Sequence, residues 1–119
     1  MELDNDKYSG WTVVTIKRHT AWQIHNFMSL VDSMYEKIKD NYEQVHGRIL
    51  FDLSRLSYFD STVVSLILRA VRLTGEEKNA LIVTDEKTRD ILGLLGINRL
   101  VEVYESEEAF AETHGAGKA

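Results

Sequence analysis

The 119-residue chain contains no cysteine. That removes disulfide frameworks, thiolate nucleophiles and cysteine-ligated zinc, and it fits a reducing compartment. The chain also lacks any apolar run near the ~18 residues that a membrane span requires, so direct membrane insertion is not expected. Its opening, "MELDNDKYSG", is acidic and polar, unlike a secretory signal, and a cytoplasmic protein is the expectation. There is no Gly-x-x-x-x-Gly-Lys phosphate loop and no Gly-x-Gly-x-x-Gly turn. No Gly-x-Ser-x-Gly elbow surrounds Ser61. His19, His25, His46 and His114 show no metal-ligand spacing and read as surface residues. A basic cluster is missing too. The net charge is −5, with eight acidic residues against four basic ones from Asp85 onward. Nucleic acid, whose affinity rests on neutralised phosphates, is therefore not an expected partner. Asp52 and Asp60 lie at strand ends, where phosphoaspartates occur in response-regulator folds, but the paired acids and late lysine of such a site are lacking. The expectation is a protein without catalytic activity, cofactor or metal.

What is present is an ordinary globular composition, 44% apolar and 28% charged, enough for one domain with one core. "WTVVTIKRH" (Trp11–His19) is rich in β-branched residues and reads as a strand. The residues before it give a weak signal for a short partner strand. Thr20 and Gln23 fit a capping box. Ile24, Phe27, Met28, Val31, Met34, Tyr35, Ile38 and Tyr42 then recur at spacings of three and four, the stripe of a core-facing helix. "RILFDL" (Arg48–Leu53) is a nearly continuous apolar run, as in a strand covered on both faces. A second helix extends to about Leu73, with Gly75 placed as its carboxyl-terminal cap. "ALIVT" (Ala80–Thr84) reads as a strand, and "DEKTRDILGLLG" as a helix with acids in its first turn. "LVEVY" (Leu100–Tyr104) is a last strand, and "SEEAFAE" a last helix capped by Ser106. Strict β-α alternation implies an α/β domain with a largely parallel sheet.

The junction between "RILFDL" and the second helix carries the densest polar signal, Asp60-Ser61-Thr62. Asp60 or Ser61 suits the cap of that helix, its side-chain oxygen accepting an otherwise free N–H. One cap does not account for three polar residues in succession. Within the helix, Thr62, Ser65, Arg69 and Arg72 are spaced three, four and three. They form one narrow polar stripe on an otherwise apolar cylinder, either its solvated side or a face shown to a partner. A phosphate on Ser61 would bring nearly two negative charges to a helix amino terminus, which the helix dipole tolerates. Beside Asp60 it would make the patch strongly negative and repel a docked partner with little change of fold.

The segment "ILFDLSRLSYFDSTVVSLILRAVR" resembles the central part of the STAS domain of anti-sigma factor antagonists. There a strand ends in Asp-Leu, matched by Asp52-Leu53. A loop then leads to Asp-Ser-Ser or Asp-Ser-Thr at a helix start, matched by Asp60-Ser61-Thr62. "TRDILGLLGINRLVEVYESEEAFAE" resembles the remainder of that domain. The likeness runs from about Trp11 to about Thr113 and is strongest from Ile49 to Phe110. It divides the chain into an N-terminal segment (1–10) able to supply a short edge strand, a STAS domain (11–113) and a disordered tail (114–119). The resemblance implies a mixed, mostly parallel sheet of four to five strands with helices packed mainly on one face.

It further implies that Ser61 is the phosphoacceptor, with Thr62 as its rival. Asp60, Ser61, Thr62, Ser65, Arg69 and Arg72 would form the partner-binding surface. The implied partners are a serine kinase that is also the anti-sigma factor, and a PP2C-type phosphatase that restores the unmodified form. Two departures stand out. The family's Gly-Leu-Gly after the acceptor motif is Val63-Val64-Ser65 here. Its Gly-x-Leu/Ile-Asp turn after the early strand is "RHTAWQ". Two other roles use the same domain. One is a STAS subunit of a lipid-transport ATPase, with a permanent contact on this helix face. The other is a stress-sensing scaffold.

Overall fold

In the computed structural model, residues 1–17, 27–56, 59, 61–75 and 78–114 are described, those at 27–30 by their backbone alone. The elements are β1 (Glu2–Asp4), β2 (Trp11–Thr15), α1 (Phe27–Val45), β3 (Arg48–Asp52), α2 (Ser61–Thr74), β4 (Asn79–Ile82), α3 (Glu86–Leu94), a 3-10 turn (Ile97–Arg99), β5 (Glu102–Tyr104) and α4 (Glu107–His114). They build one five-stranded sheet in the order β1-β2-β3-β4-β5. Strand β1 pairs antiparallel with β2, and the other three pairings are parallel. The weak amino-terminal strand signal thus corresponds to a real edge strand.

This order explains where the helices lie. Crossovers between parallel strands are right-handed. Strands β2 to β5 are laid down one after another in a single direction, so α1, α2 and α3 must all fall on the same face. Period-two alternation sorts the strand side chains accordingly. Val14, Ile49, Phe51 and Leu81 point toward Met34 and Ile38 of α1, Leu66 and Ile67 of α2, and Leu92 of α3. Val13, Leu50, Ala80 and Ile82 point the other way, where Tyr8, Trp11 and Phe110 cover them. Helix α4 follows the last strand, and no crossover holds it on the three-helix face.

Local chemistry sets the boundaries. Asp85 accepts the Thr88 backbone N–H at 3.0 Å and caps α3. Ser106 Oγ accepts the Ala109 N–H at 3.0 Å and caps α4. Gly75 ends α2 at φ +105°, a conformation costly for any residue with a Cβ. Gly47 answers a different need, because a Cβ there would sit 3.1 Å from the Gly10 carbonyl oxygen. That same carbonyl accepts the Arg48 N–H at 3.0 Å, which opens the β2–β3 pairing.

Three expectations change. The first strand ends at Thr15, and the first helix runs to Val45. The Thr20–Gln23 capping box, His19, His25 and Ile24 lie outside the described residues. His114 does not begin a tail. It is the last residue of α4, and its Nε2 lies 3.0 Å from Tyr104 Oη and 3.1 Å from Glu102 Oε1. Because α4 packs back across β5, a residue that looked terminal in the sequence is held between two strand side chains.

Candidate functional site

Helix α2 begins where the chain leaves the carboxyl end of β3 and climbs back over the sheet. Asp52 closes the strand. Its Oδ1 accepts the Ser54 backbone N–H at 3.0 Å and the Ser54 hydroxyl at 2.6 Å, an Asx turn that bends the chain away from the sheet. Leu56 then donates its backbone N–H to the Leu53 carbonyl at 3.1 Å. Leu56 and Phe59 rest against the main core and anchor the connection. Ser57, Tyr58 and Asp60 lie outside the described residues, so the cap assigned to Asp60 and its place on the partner surface stay a reading of the sequence.

Ser61 is the first helical residue and is exposed. Its backbone N–H is among the four at a helix start that have no intrahelical acceptor. No acidic side chain occupies the first turn of α2, so among the described residues the positive end of its dipole is not offset from within the helix. Thr62 is different. It is 1% exposed and shares the buried face with Leu66 and Ala70 at four-residue steps. The two candidate acceptors are therefore separated by one helical step of about 100°, one facing solvent and one facing the core. In this conformation Ser61 is open to solvent and Thr62 is not.

The polar stripe divides in the same way. Thr62, at its top, belongs to the core and is not part of an accessible surface, which corrects the sequence reading of the stripe as one face. Ser65 and Arg69 are half-buried, and Arg72 is exposed. Arg69 is committed to the neighbouring helix. Its Nη1 lies 2.7 Å from Asp32 Oδ1, and its guanidinium sits 5.6 Å from the Tyr35 ring centroid. Tyr35 belongs to the apolar stripe of α1 and Asp32 is an exposed acid three residues before it, and together they fix Arg69. Their spacing of three, one helical turn apart on α1, was the available signal. The surface that Ser61 shares with Arg72 is thus the free remainder of the stripe. Val63 is 1% exposed and Val64 half-buried. Of the residues at the family's two glycine positions, Val63 is core and Ser65 is half-buried.

Among the described residues no helix is long and apolar enough to cross a membrane. The parallel strands run in one direction across the sheet, so they create no reversal of strand order, the place where open α/β sheets bind ligands at their carboxyl ends.

The model of the STAS domain matches residues 23–110. No curated protein matches the chain. Among solved structures, the fold is similar to that of the protein TM1081, determined by NMR, with a TM-score of 0.60 and 18% identity. The match covers 89% of this chain and 84% of that one. An exposed serine opening the helix after the third strand, a five-stranded mostly parallel sheet and a family match over most of the chain lead to one statement: the protein belongs to the STAS domain family.

Proposed function

We propose that the protein is an anti-sigma factor antagonist, a regulator that works by exchanging partners and catalyses nothing itself. In its unmodified form it binds a serine kinase that doubles as an anti-sigma factor, and so frees the sigma factor. Phosphorylation of Ser61 by that kinase ends the contact, and a PP2C-type phosphatase restores it. The observation that carries this reading is the pairing of an exposed Ser61 with a buried Thr62 at the amino end of α2.

The physics of release follows from that position. A phosphate adds between about −1.5 and −2 charges at the positive end of the helix dipole, beside first-turn N–H groups that have no intrahelical acceptor. The dipole and these donors stabilise it in place, so the domain keeps its fold. A partner covering Ser61 would have to desolvate that charge, and any acid on the partner would be repelled. Binding is lost while the antagonist remains folded, which is what a reversible switch needs. Asp60 adjoins Ser61 in the chain and adds to the negative charge. Ser65 and Arg72 extend the contact surface along the helix.

The test is a pull-down from lysate of the native organism with wild-type and Ser61→Asp bait, read by mass spectrometry. An ATP-binding serine kinase retained by the wild type and lost with Ser61→Asp supports the switch. Incubation of the captured kinase with ATP and the wild-type chain should then place one phosphate on Ser61. If the same partners stay on both baits, Ser61 belongs to a constitutive contact, as in a transporter subunit.

A further inference from the structure

Among the described residues four large apolar side chains are exposed: Val45, Ile91, Leu94 and Leu95. Three of them adjoin on α3. A single apolar residue on a surface is ordinary, but a contiguous group points to a covering partner. Leu94 and Leu95 follow Ile91 by three and four residues, so the three are neighbours on one helix surface. Leu92 is fully buried and marks the side of α3 that meets the core. Leu94 lies about 200° round from it, which aims it away from the core, and it is 87% exposed. Ile91 and Leu95 form the shoulder beside it, 43% and 56% exposed. Helix α3 is therefore apolar on two sides, one against the core and one toward solvent.

The charges bordering this outer face favour one occupant. Glu86 stands in the first turn of α3, and Asp90 is exposed beside Leu94. Arg89 is turned away from them, with one N–H donated to the Val83 carbonyl at 2.7 Å. At the other end of the helix the exposed Arg99 follows, in the 3-10 turn. Among the described residues Glu86, Asp90 and Arg99 enter no ion pair; the pairs present are Lys7–Glu107, Lys17–Glu2, Arg69–Asp32 and His114–Glu102. The face is thus acidic at one end, apolar in the middle and basic at the other end. Such a face is complementary to itself turned end for end. The bordering acids make an anionic membrane an unfavourable cover.

We propose that this face of α3 pairs with the same face of a second copy of the chain, the two helices antiparallel about a two-fold axis between Ile91 and Leu94. Such an interface is isologous: Ile91 of each copy meets Leu94 of the other, and Leu95 flanks both contacts. Glu86 precedes Ile91 by five residues, and Arg99 follows Leu94 by five. The same axis therefore brings the acidic end of one helix to Arg99 of the other. It also sets the positive end of each helix dipole beside the negative end of its partner. The apolar patch amounts to a few hundred Å², short of the ~800 Å² that each partner contributes to a stable complex. The pair is accordingly weak, with a dissociation constant of roughly 0.1–1 mM. Helix α3 returns from the carboxyl end of β4 to the amino end of β5, so Leu94 and Leu95 stand at the opposite end of the sheet from Ser61. Pairing leaves Ser61 of both copies open and does not depend on the reading of that residue.

Sedimentation equilibrium of the full chain between about 10 μM and about 1 mM tests the proposal. The average mass should rise with concentration from 13.7 kDa toward that of a dimer. Concentration-dependent amide NMR shifts should gather at Glu86, Ile91, Leu94, Leu95 and Arg99. Leu94→Lys, at an outward position, should keep the spectrum and melting of the folded domain and weaken association at least about tenfold. Glu86→Arg and Arg99→Glu should each weaken it by a few fold, and the two combined should restore it, because each copy then supplies the exchanged pair. A chain that stays at 13.7 kDa at the highest concentration would overturn the pairing and leave this face to a different protein. Association that survives Leu94→Lys, or that the combined charge exchange fails to restore, would overturn it as well.

Discussion

Phe110 is the residue on which the second face of the sheet depends, and replacing it with alanine tests how that face is held. Its side chain is 0% exposed. Ring centroids of Tyr8, Trp11 and Tyr104 stand 5.1, 5.0 and 5.4 Å away in edge-to-face geometry, and His114 lies at 4.8 Å. Truncating a buried phenylalanine costs about 3–5 kcal/mol in lost transfer free energy and cavity formation. The upper half of that range applies here, because edge-to-face pairs add about 0.5–1.5 kcal/mol beyond buried area. Native domains are stable by only about 5–15 kcal/mol, so Phe110→Ala should fold but unfold far more readily. With a urea slope of about 1–3 kcal/mol per molar, the midpoint should fall by roughly 2 M. Equilibrium urea unfolding followed by circular dichroism and tryptophan emission measures this, and the emission should shift as Trp11 loses its cover. Leu94→Ala is the control. Leu94 is 87% exposed, and its truncation should stay within about 0.5 kcal/mol of wild type. A loss below about 1 kcal/mol for Phe110→Ala would refute the claim that this ring pins α4 to the sheet.

Two further outcomes follow from the same packing. Ser61→Asp places a charge in solvent at the positive end of α2 and should leave stability unchanged or raise it by about 0.3–1 kcal/mol of dipole stabilisation, so the thermal midpoint should not fall. Thr62→Asp places that charge in the core and should cost about 3 kcal/mol or more; equal melting of the two variants would contradict the burial assigned to Thr62. The carboxyl of Glu107 is held below the usual range by hydrogen bonds from Lys7 and then Tyr8, and that of Glu102 by Tyr104 and then His114. A carboxyl lowered on folding contributes stability above its unfolded value, near 4.5, and loses it as pH falls through the folded value. Thermal midpoints should therefore drop between about pH 6 and pH 3, and the drop should shrink in Glu102→Gln and Glu107→Gln; an unchanged slope would show that these pairs are not coupled to folding.

Much of this was legible in the chain. The β-branched run at Trp11, the acids after Thr84, Ser106 before "EEAF" and Gly75 after "RAVRLT" mark element ends because caps and turns are local chemistry. The Asp60-Ser61-Thr62 junction stood out for the same reason. Other features could not be read. Thr62 looked like the head of a polar stripe, because three-four spacing counts polar residues without saying which side meets α1 and the sheet. Arg69 looked free, and Asp32 claims it from another helix. His114 looked like tail, and α4 carries it to Tyr104.

Sequence alone determined the alternation of elements, their caps, the family and a serine at a helix start. These depend on neighbours two to four residues apart, which any reader of the chain can see. Tertiary structure alone decided that Ser61 is exposed and Thr62 buried, that Asp32 of another helix claims Arg69, and that α4 carries His114 to Tyr104. Those depend on strand register and on the hand of the crossovers, which bring residues far apart in sequence together.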